Sequence, residues 1–117
     1  MKIILIDDNS EITKPLSKFL TAKGHNCIVS NDGRNGLAMI LQQKFDVVLL
    51  DLAMPELSGF DIIDTLEKNG RLKENKVIVF SALDVKNEKI EELLQKGVRS
   101  CLSKPVKLDV LLKAIED

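Results

Sequence analysis

The stretch DVVLLD, residues 46–51, decides the fold class because an acidic residue directly follows an unbroken apolar run. An apolar run without polar alternation is typical of a strand buried on both faces, as in a parallel sheet, and predicts a strand at Asp46–Leu50. The same arrangement recurs at the start of the chain, where Asp7 and Asp8 follow a predicted strand at Lys2–Ile6. Three further strands are predicted at Asn26–Ser30, Lys76–Phe80 and Arg99–Leu102.

Amphipathic helical patterns alternate with these strands. Each of the five patterns forms one apolar stripe; the stripe of the first consists of Ile12, Leu16, Phe19 and Leu20. Gly24, Gly70 and Gly97 are expected to end three helices in a left-handed conformation. Strict alternation predicts parallel strands joined by right-handed crossovers, with helices on both faces. The predicted fold class is therefore α/β, an open, doubly wound, five-stranded parallel sheet of (βα)5 type.

Pro15 conflicts with the first helical pattern. A proline inside a helix removes a backbone donor and crowds the preceding turn, at a cost of about 3 kcal/mol. We expect a kink or a shifted start, with the helix surviving because the apolar stripe continues to Leu20.

Length and composition predict one domain, residues 1–117, of an ordinary globular protein. Hydrophobic residues make up 44% and charged residues 30% of the chain. Because 17 basic side chains are balanced by 18 acidic ones, direct nucleic-acid binding is not expected. Apolar runs such as Val47–Leu50 are far too short for membrane insertion, and no signal peptide is recognised, so a cytoplasmic location is expected.

The cysteine and histidine content argues against a zinc site or a disulfide framework. Cys27 and Cys101 lack metal-ligand spacing and are expected to be reduced thiols, packed as small hydrophobic residues. His25, the single histidine, is interpreted as an exposed loop residue without a functional role.

Charged residues follow the predicted strands at one edge of the sheet, the edge at which open α/β sheets bind ligands. Asp7, Asp8 and Asp51 are expected to meet there, and Lys104 follows the fifth strand. Carboxylates about 4 Å apart repel by roughly 1 to 4 kcal/mol, so the group requires a cation. Oxygen ligands without histidine or cysteine favour Mg²⁺.

This pattern predicts phosphotransfer chemistry. A cation and Lys104 would screen an incoming phosphoryl group, and Asp51 could act as the nucleophile that forms an acyl phosphate. Ser81, at the end of the fourth strand, could donate its hydroxyl proton to a phosphoryl oxygen.

The chain resembles the receiver domains of two-component response regulators, from Met1 to Asp117. The resemblance is carried by Asp7-Asp8, by the stretch DLAMPELSG from Asp51 to Gly59, by Ser81-Ala82 and by Lys104-Pro105. It implies the flavodoxin-like strand order 2-1-3-4-5. It also implies a cis bond between Lys104 and Pro105, and output through a downstream effector protein.

The resemblance further implies a role for each site residue. Asp51 would accept a phosphoryl group from a histidine kinase, a phosphotransfer protein or a small phosphodonor. Mg²⁺ would be bound by Asp8, Asp51 and the Ala53 carbonyl, with Asp7 holding a metal-bound water. The expected phosphoryl contacts are Lys104, Ser81 and the backbone of Ala53 and Ala82.

Three positions depart from the family pattern. Cys101 stands where receiver domains usually carry the tyrosine or phenylalanine that turns inward on activation. Ala53 and Leu83 are apolar where many relatives have polar side chains that influence the attacking water. We therefore expect a longer phosphoryl lifetime and a different or weaker path from Ser81 to the outer surface.

Alternative functions remain open at this point. A small phosphatase could use the same aspartate nucleophile, although such enzymes typically carry a second acid two residues later, where this chain has Ala53. Flavin or nucleotide binding is disfavoured because Asp7 and Asp8 would repel phosphate. A receiver-like interaction module that is never phosphorylated is the third alternative.

Overall fold

The computed structural model describes residues 1–81 and 87–117, which contain five strands alternating with five helices. The strands are β1 (Lys2–Ile6), β2 (Asn26–Ser30), β3 (Val47–Asp51), β4 (Lys76–Ser81) and β5 (Ser100–Ser103). The helices are α1 (Ser10–Ala22), α2 (Gly33–Gln42), α3 (Gly59–Lys68), α4 (Asn87–Lys96) and α5 (Leu108–Glu116). All strand pairs are parallel, in the order β2-β1-β3-β4-β5, which confirms the predicted fold class and strand order.

The core lies on both faces of the sheet. Successive side chains of β1 alternate between the faces: Ile3 and Leu5 join the cluster that includes residues of α1 and α5, and Ile4 and Ile6 join the one with residues of α2, α3 and α4. All four are fully buried, and each contributes about 1.5–3 kcal/mol relative to an exposed side chain. Two apolar layers therefore hold the sheet and fix the positions of its strand ends.

The first helix survives its internal proline. It begins at Ser10, so its start is not displaced beyond Pro15, and it continues to Ala22. The Asn9 side chain caps it by accepting a hydrogen bond from the Glu11 amide at 3.0 Å. The predicted left-handed glycines are also confirmed, with φ of 92° at Gly24, 69° at Gly70 and 127° at Gly97.

Two strands are displaced by about one residue from their predicted positions. β3 begins at Val47 and includes Asp51, which pairs with Phe80. The Asp46 side chain instead accepts a hydrogen bond from the Lys2 amide at 2.7 Å, just outside the strand. Similarly, β5 begins at Ser100 instead of Arg99. In both cases the charged residue that was predicted to begin the strand, Asp46 or Arg99, lies just before it.

His25 lies in the loop before β2, as predicted, but the expectation that it is exposed was wrong. Only 8% of its side chain is exposed, and its Nε2 lies 3.3 Å from the Glu116 carboxylate. Its Nδ1 lies 3.2 Å from the amino group of Met1. The residue therefore connects the start of the sheet to the end of α5.

Among the described residues, no helix combines the length and the apolar character needed to cross a bilayer.

Candidate functional site

Three carboxylates meet at the carboxyl edge of the sheet. Asp7 and Asp8 follow β1, Asp51 ends the neighbouring β3, and one oxygen of each lies within 4.8 Å of the others. Asp7 and Asp51 are buried, whereas Asp8 is exposed. Parallel pairing of the two strands is what brings these residues together, because equivalent strand ends finish at the same edge.

Lys104 supplies positive charge to this cluster. Its Nζ lies 2.9 Å from Asp7 Oδ2 and 3.5 Å from Asp51 Oδ2. The ammonium also lies 5.1 Å from the centroid of the Phe80 ring, within the range of a cation–π interaction. The Lys104 amide donates to the Ser81 carbonyl at 3.0 Å, which holds the lysine backbone beside the end of β4. The following bond to Pro105 is cis, as the resemblance implies.

The environment of Asp51 disfavours its negative charge. Burial, followed by the negative charge of Asp7, raises the pKa of Asp51 to about 6. The positive charge of Lys104 and the Ala53 amide, which donates to Asp51 Oδ1 at 3.3 Å, partly offset this rise. The carboxylate is mostly ionised at neutral pH but remains poorly compensated, so a further cation would stabilise it.

The cluster has the composition expected of a site for a hard divalent cation. Carboxylate oxygens converge from Asp7, Asp8 and Asp51, and sulfur and imidazole ligands are absent from this group. Ala53, whose carbonyl is the predicted backbone ligand, is exposed and lies two residues beyond Asp51. The exposure of Asp8 and Ala53 leaves one side of the cluster open to solvent.

Sequence reasoning missed Asn31 and Asn9 as residues that hold Asp7. Asn31 Nδ2 donates to the Asp7 carbonyl at 2.7 Å and to Thr13 Oγ1 at 3.1 Å. The Asn9 amide donates to Asp7 Oδ1 at 3.0 Å. Asn31 directly follows β2, whose end lies at the same edge, so the strand-end rule used for the aspartates could have identified it.

The remaining predicted residues lie on β4, on β5 and in the segment between β4 and α4. Ser81 ends β4, is 5% exposed and follows Phe80, the register partner of Asp51. Ala82 and Leu83 lie outside the described residues, so their predicted roles stay predictions. Cys101 pairs with Val79 in register, and burial raises the pKa of its thiol.

The model of the response regulator receiver domain matches residues 3–116 of this chain. The chain belongs to the response regulator receiver domain family. Receiver domains are signalling domains of two-component systems, and the expected resemblance is thereby confirmed.

Individual relatives agree with this assignment. The receiver domain is 34% identical to protein PilH of Pseudomonas aeruginosa over 97% of this chain and 93% of the relative. It is 32% identical to chemotaxis protein CheY of the same organism, over 99% and 94%. It also matches sensor histidine kinase RcsC of Escherichia coli K12 at 32% identity, over 98% of this chain but only 12% of that protein. Among solved structures, the receiver domain of Francisella response regulator 1452 superposes with a TM-score of 0.89 at 30% identity, covering 98% of this chain and 93% of that one.

Proposed function

We propose that residues 1–117 act as one receiver domain in which Asp51 accepts a phosphoryl group in a Mg²⁺-dependent reaction. The donor would be a histidine kinase, a phosphotransfer protein or a small phosphodonor, and output would pass to a partner protein. The observation that carries this proposal is the position of Asp51: its buried carboxylate lies 3.5 Å from Lys104 and beside two further aspartates.

The reaction proposed for this geometry is a direct transfer. An Asp51 carboxylate oxygen attacks phosphorus and forms a new P–O bond, while the bond from phosphorus to the donor breaks and the leaving group keeps the electron pair. A histidine donor then leaves as imidazole after taking a proton from solvent. Lys104, already positioned between Asp7 and Asp51, would bind a phosphoryl oxygen and limit repulsion between the two anions.

Mg²⁺ would be held by Asp8, Asp51 and the Ala53 carbonyl, with Asp7 contacting a metal-bound water. It would supply charge neutralisation at the attacking and phosphoryl oxygens. Two observations support this cation site. Three carboxylates converge there, and the positive charge of Lys104 only partly offsets the rise in the pKa of Asp51. Ser81, buried at the end of β4, is proposed as a hydroxyl donor to the phosphoryl group.

Intact-mass measurement after incubation with acetyl phosphate and Mg²⁺ tests the proposal. Wild type is expected to gain the mass of one phosphoryl group, and Asp51→Ala should gain none. Asp46→Ala is the matched control, because Asp46 precedes the same strand at its opposite end and should leave phosphorylation intact. Absence of the added mass in wild type, or equal labelling of Asp51→Ala, would refute the proposal.

Phosphate release from small phosphate esters, measured beside the labelling, discriminates the alternatives. A phosphatase would release phosphate from small esters over many turnovers, whereas a receiver domain consumes one phosphodonor per labelling event. A non-phosphorylated interaction module would show no labelling with any donor.

The two free thiols, Cys27 and Cys101, are compatible with the proposed cytoplasmic location.

We also propose that phosphorylation alters the surface through Ser81 and Lys104. Their movement toward a phosphoryl group would change the surface of the last two βα units by a shift between conformational populations. Cys101 lacks an aromatic ring, so this response would pass through the backbone. Ala53 and Leu83 are expected to lengthen the phosphoryl lifetime, and a hydrolysis rate that does not increase when both are replaced by polar residues would contradict this.

A further inference from the structure

The amino end of α3 lies unusually close to the backbone that carries Asp51. A Cβ atom at Gly59 would lie 2.7 Å from Leu52 Cα and 3.1 Å from the Asp51 carbonyl carbon, and closer still to the Asp51 carbonyl oxygen. These are backbone atoms, so a side-chain rotation cannot relieve the overlap. Gly59 is therefore required by the approach of the helix to the end of β3, whereas a loop conformation alone would tolerate other residues.

This close approach closes the loop that includes Ala53. The Gly59 amide donates to the Leu52 carbonyl at 3.1 Å, so the chain leaves β3 and returns to the same point at the start of α3. Leu52 and Met54, on either side of Ala53, are buried at 3% and 8% exposure. Any movement of Leu52 would be transmitted to both of its neighbours, the proposed nucleophile and the proposed backbone ligand.

A second glycine restrains the far end of the same loop. A Cβ at Gly33, the first residue of α2, would lie 2.5 Å from the Leu57 carbonyl oxygen and in ordinary contact with Met54 at 3.4 Å. Between these restraints Glu56 adopts a φ of 65°, which is costly for a residue other than glycine. The loop thus keeps a strained conformation between two close helix ends.

We propose that Gly59 is a positioning residue for the phosphoryl and cation site, and that its missing side chain sets the relative placement of Asp51 and the Ala53 carbonyl. Gly33 assists from the opposite end of the loop, where it approaches Leu57, four residues from Ala53 in sequence. This proposal rests on the proposed function, because it assigns Gly59 a role in the same cation site.

The test is the Mg²⁺ dissociation constant of purified Gly59→Ala, measured by isothermal titration calorimetry. The chain contains no tryptophan or tyrosine, so calorimetry or amide chemical shifts are preferable to intrinsic fluorescence. We expect Mg²⁺ affinity to fall by about tenfold or more, as for other residues that orient metal ligands. Phosphorylation by acetyl phosphate should slow in parallel at subsaturating Mg²⁺ and recover in part at high Mg²⁺.

Gly70→Ala is the matched control, because Gly70 follows the other end of α3. Its φ is 69°, and a Cβ there meets no atom within 4 Å, so alanine strains the backbone without touching the site. The control should lower the unfolding temperature but change Mg²⁺ affinity by less than about twofold. A folded Gly59→Ala protein with wild-type Mg²⁺ affinity would overturn the proposal.

Gly33→Ala keeps the proposal testable if Gly59→Ala does not fold. Its overlap involves one backbone atom at the distant end of the loop, so we expect a weakening of Mg²⁺ binding of about threefold. Unchanged affinity in Gly33→Ala would then refute positioning by this loop. Failure of wild type itself to bind Mg²⁺ or accept a phosphoryl group would instead refute the proposed function, so the two failures are distinguishable.

Discussion

Charged side chains have different surroundings at the two ends of the sheet. At the amino end, charged groups are satisfied by complementary partners: Lys76 Nζ donates to the Ile115 carbonyl at 2.8 Å, near the carboxyl end of α5. The His25 ring lies 3.3 Å from the Glu116 carboxylate. These contacts connect α5 to the strand starts, and the Lys76 ammonium lies at the negative end of the helix dipole.

At the carboxyl end, like charges are held together. Asp7 and Asp51 are 0% and 2% exposed, and both contact the ammonium of Lys104. Burial and mutual repulsion raise the pKa of Asp51, which means that folding favours its neutral form. The carboxyl end therefore costs stability that the two apolar layers must offset, whereas Lys76 and His25 at the amino end each have a complementary partner.

The largest expected effect is the loss of Lys104. Lys104→Met retains much of the stem but removes the cation, which leaves two buried carboxylates without this compensation. We expect a loss of about 3 kcal/mol in the free energy of unfolding near neutral pH. Urea denaturation measures it, and Lys107→Met, an exposed lysine three residues later, should change stability by less than about 0.5 kcal/mol. Equal effects of the two substitutions would show that the carboxyl end is not electrostatically strained.

The second prediction concerns Asp51 itself. Asp51→Asn keeps the shape and an oxygen acceptor for the Ala53 amide but removes the buried charge. Because the pKa of Asp51 rises from 3.8 to about 6, the folded protein binds more protons than the unfolded protein between these values. The wild-type free energy of unfolding should therefore fall as pH rises through this window. Above about pH 6 the variant should be more stable by about 2 kcal/mol.

Denaturation of both proteins across the window from pH 4 to pH 8 is the measurement, and it uses Mg²⁺-free buffer. The stability difference should narrow as pH falls through about 6 and vanish near the unfolded pKa of 3.8. A constant difference at every pH would indicate a packing effect and contradict the electrostatic explanation.

The third prediction separates cation binding from burial. Asp8 is exposed, so Asp8→Ala should alter stability little without Mg²⁺. At a Mg²⁺ concentration ten times the wild-type dissociation constant, wild type should gain about 1.4 kcal/mol from binding. Asp8→Ala should lose most of this gain. Calorimetric unfolding with Mg²⁺ and with EDTA tests this, and an equal Mg²⁺ gain in both proteins would exclude Asp8 as a ligand.

Sequence patterns predicted the fold well because its determinants are local or periodic. The apolar run before Asp51 and the alternation of strand with helix are sufficient for a parallel sheet, and the strand-end rule then places Asp7, Asp51 and Lys104 at one edge. His25 shows where this reasoning stops. Its neighbour Glu116 lies 91 positions away, and a local pattern carries no information about such a contact.

The charged residues of the site could be predicted from the sequence more readily than the residues that hold them in position. Asn31 contributes an amide to the backbone of Asp7, and Phe80 lies under the Lys104 ammonium. Neither residue is distinctive by type, since asparagine after a strand commonly forms a turn and phenylalanine in a strand is commonly core. The steric requirement for glycine at position 59 could not be predicted, because close backbone approach is visible only in three dimensions.

The smallest expected effect tests the amino end of the sheet. Lys76→Met removes an ammonium that donates to the Ile115 carbonyl, a contact that should stabilise by about 0.5 to 1 kcal/mol. Burial, followed by the charge of Arg99, lowers the pKa of Lys76, so desolvation offsets this contact and the net change in the free energy of unfolding should lie within about 0.5 kcal/mol of zero. Urea denaturation should therefore show no larger change for Lys76→Met than for Lys44→Met, the exposed control. A loss as large as that of Lys104→Met would mean that both ends of the sheet are equally dependent on a lysine, and the contrast between them would not hold.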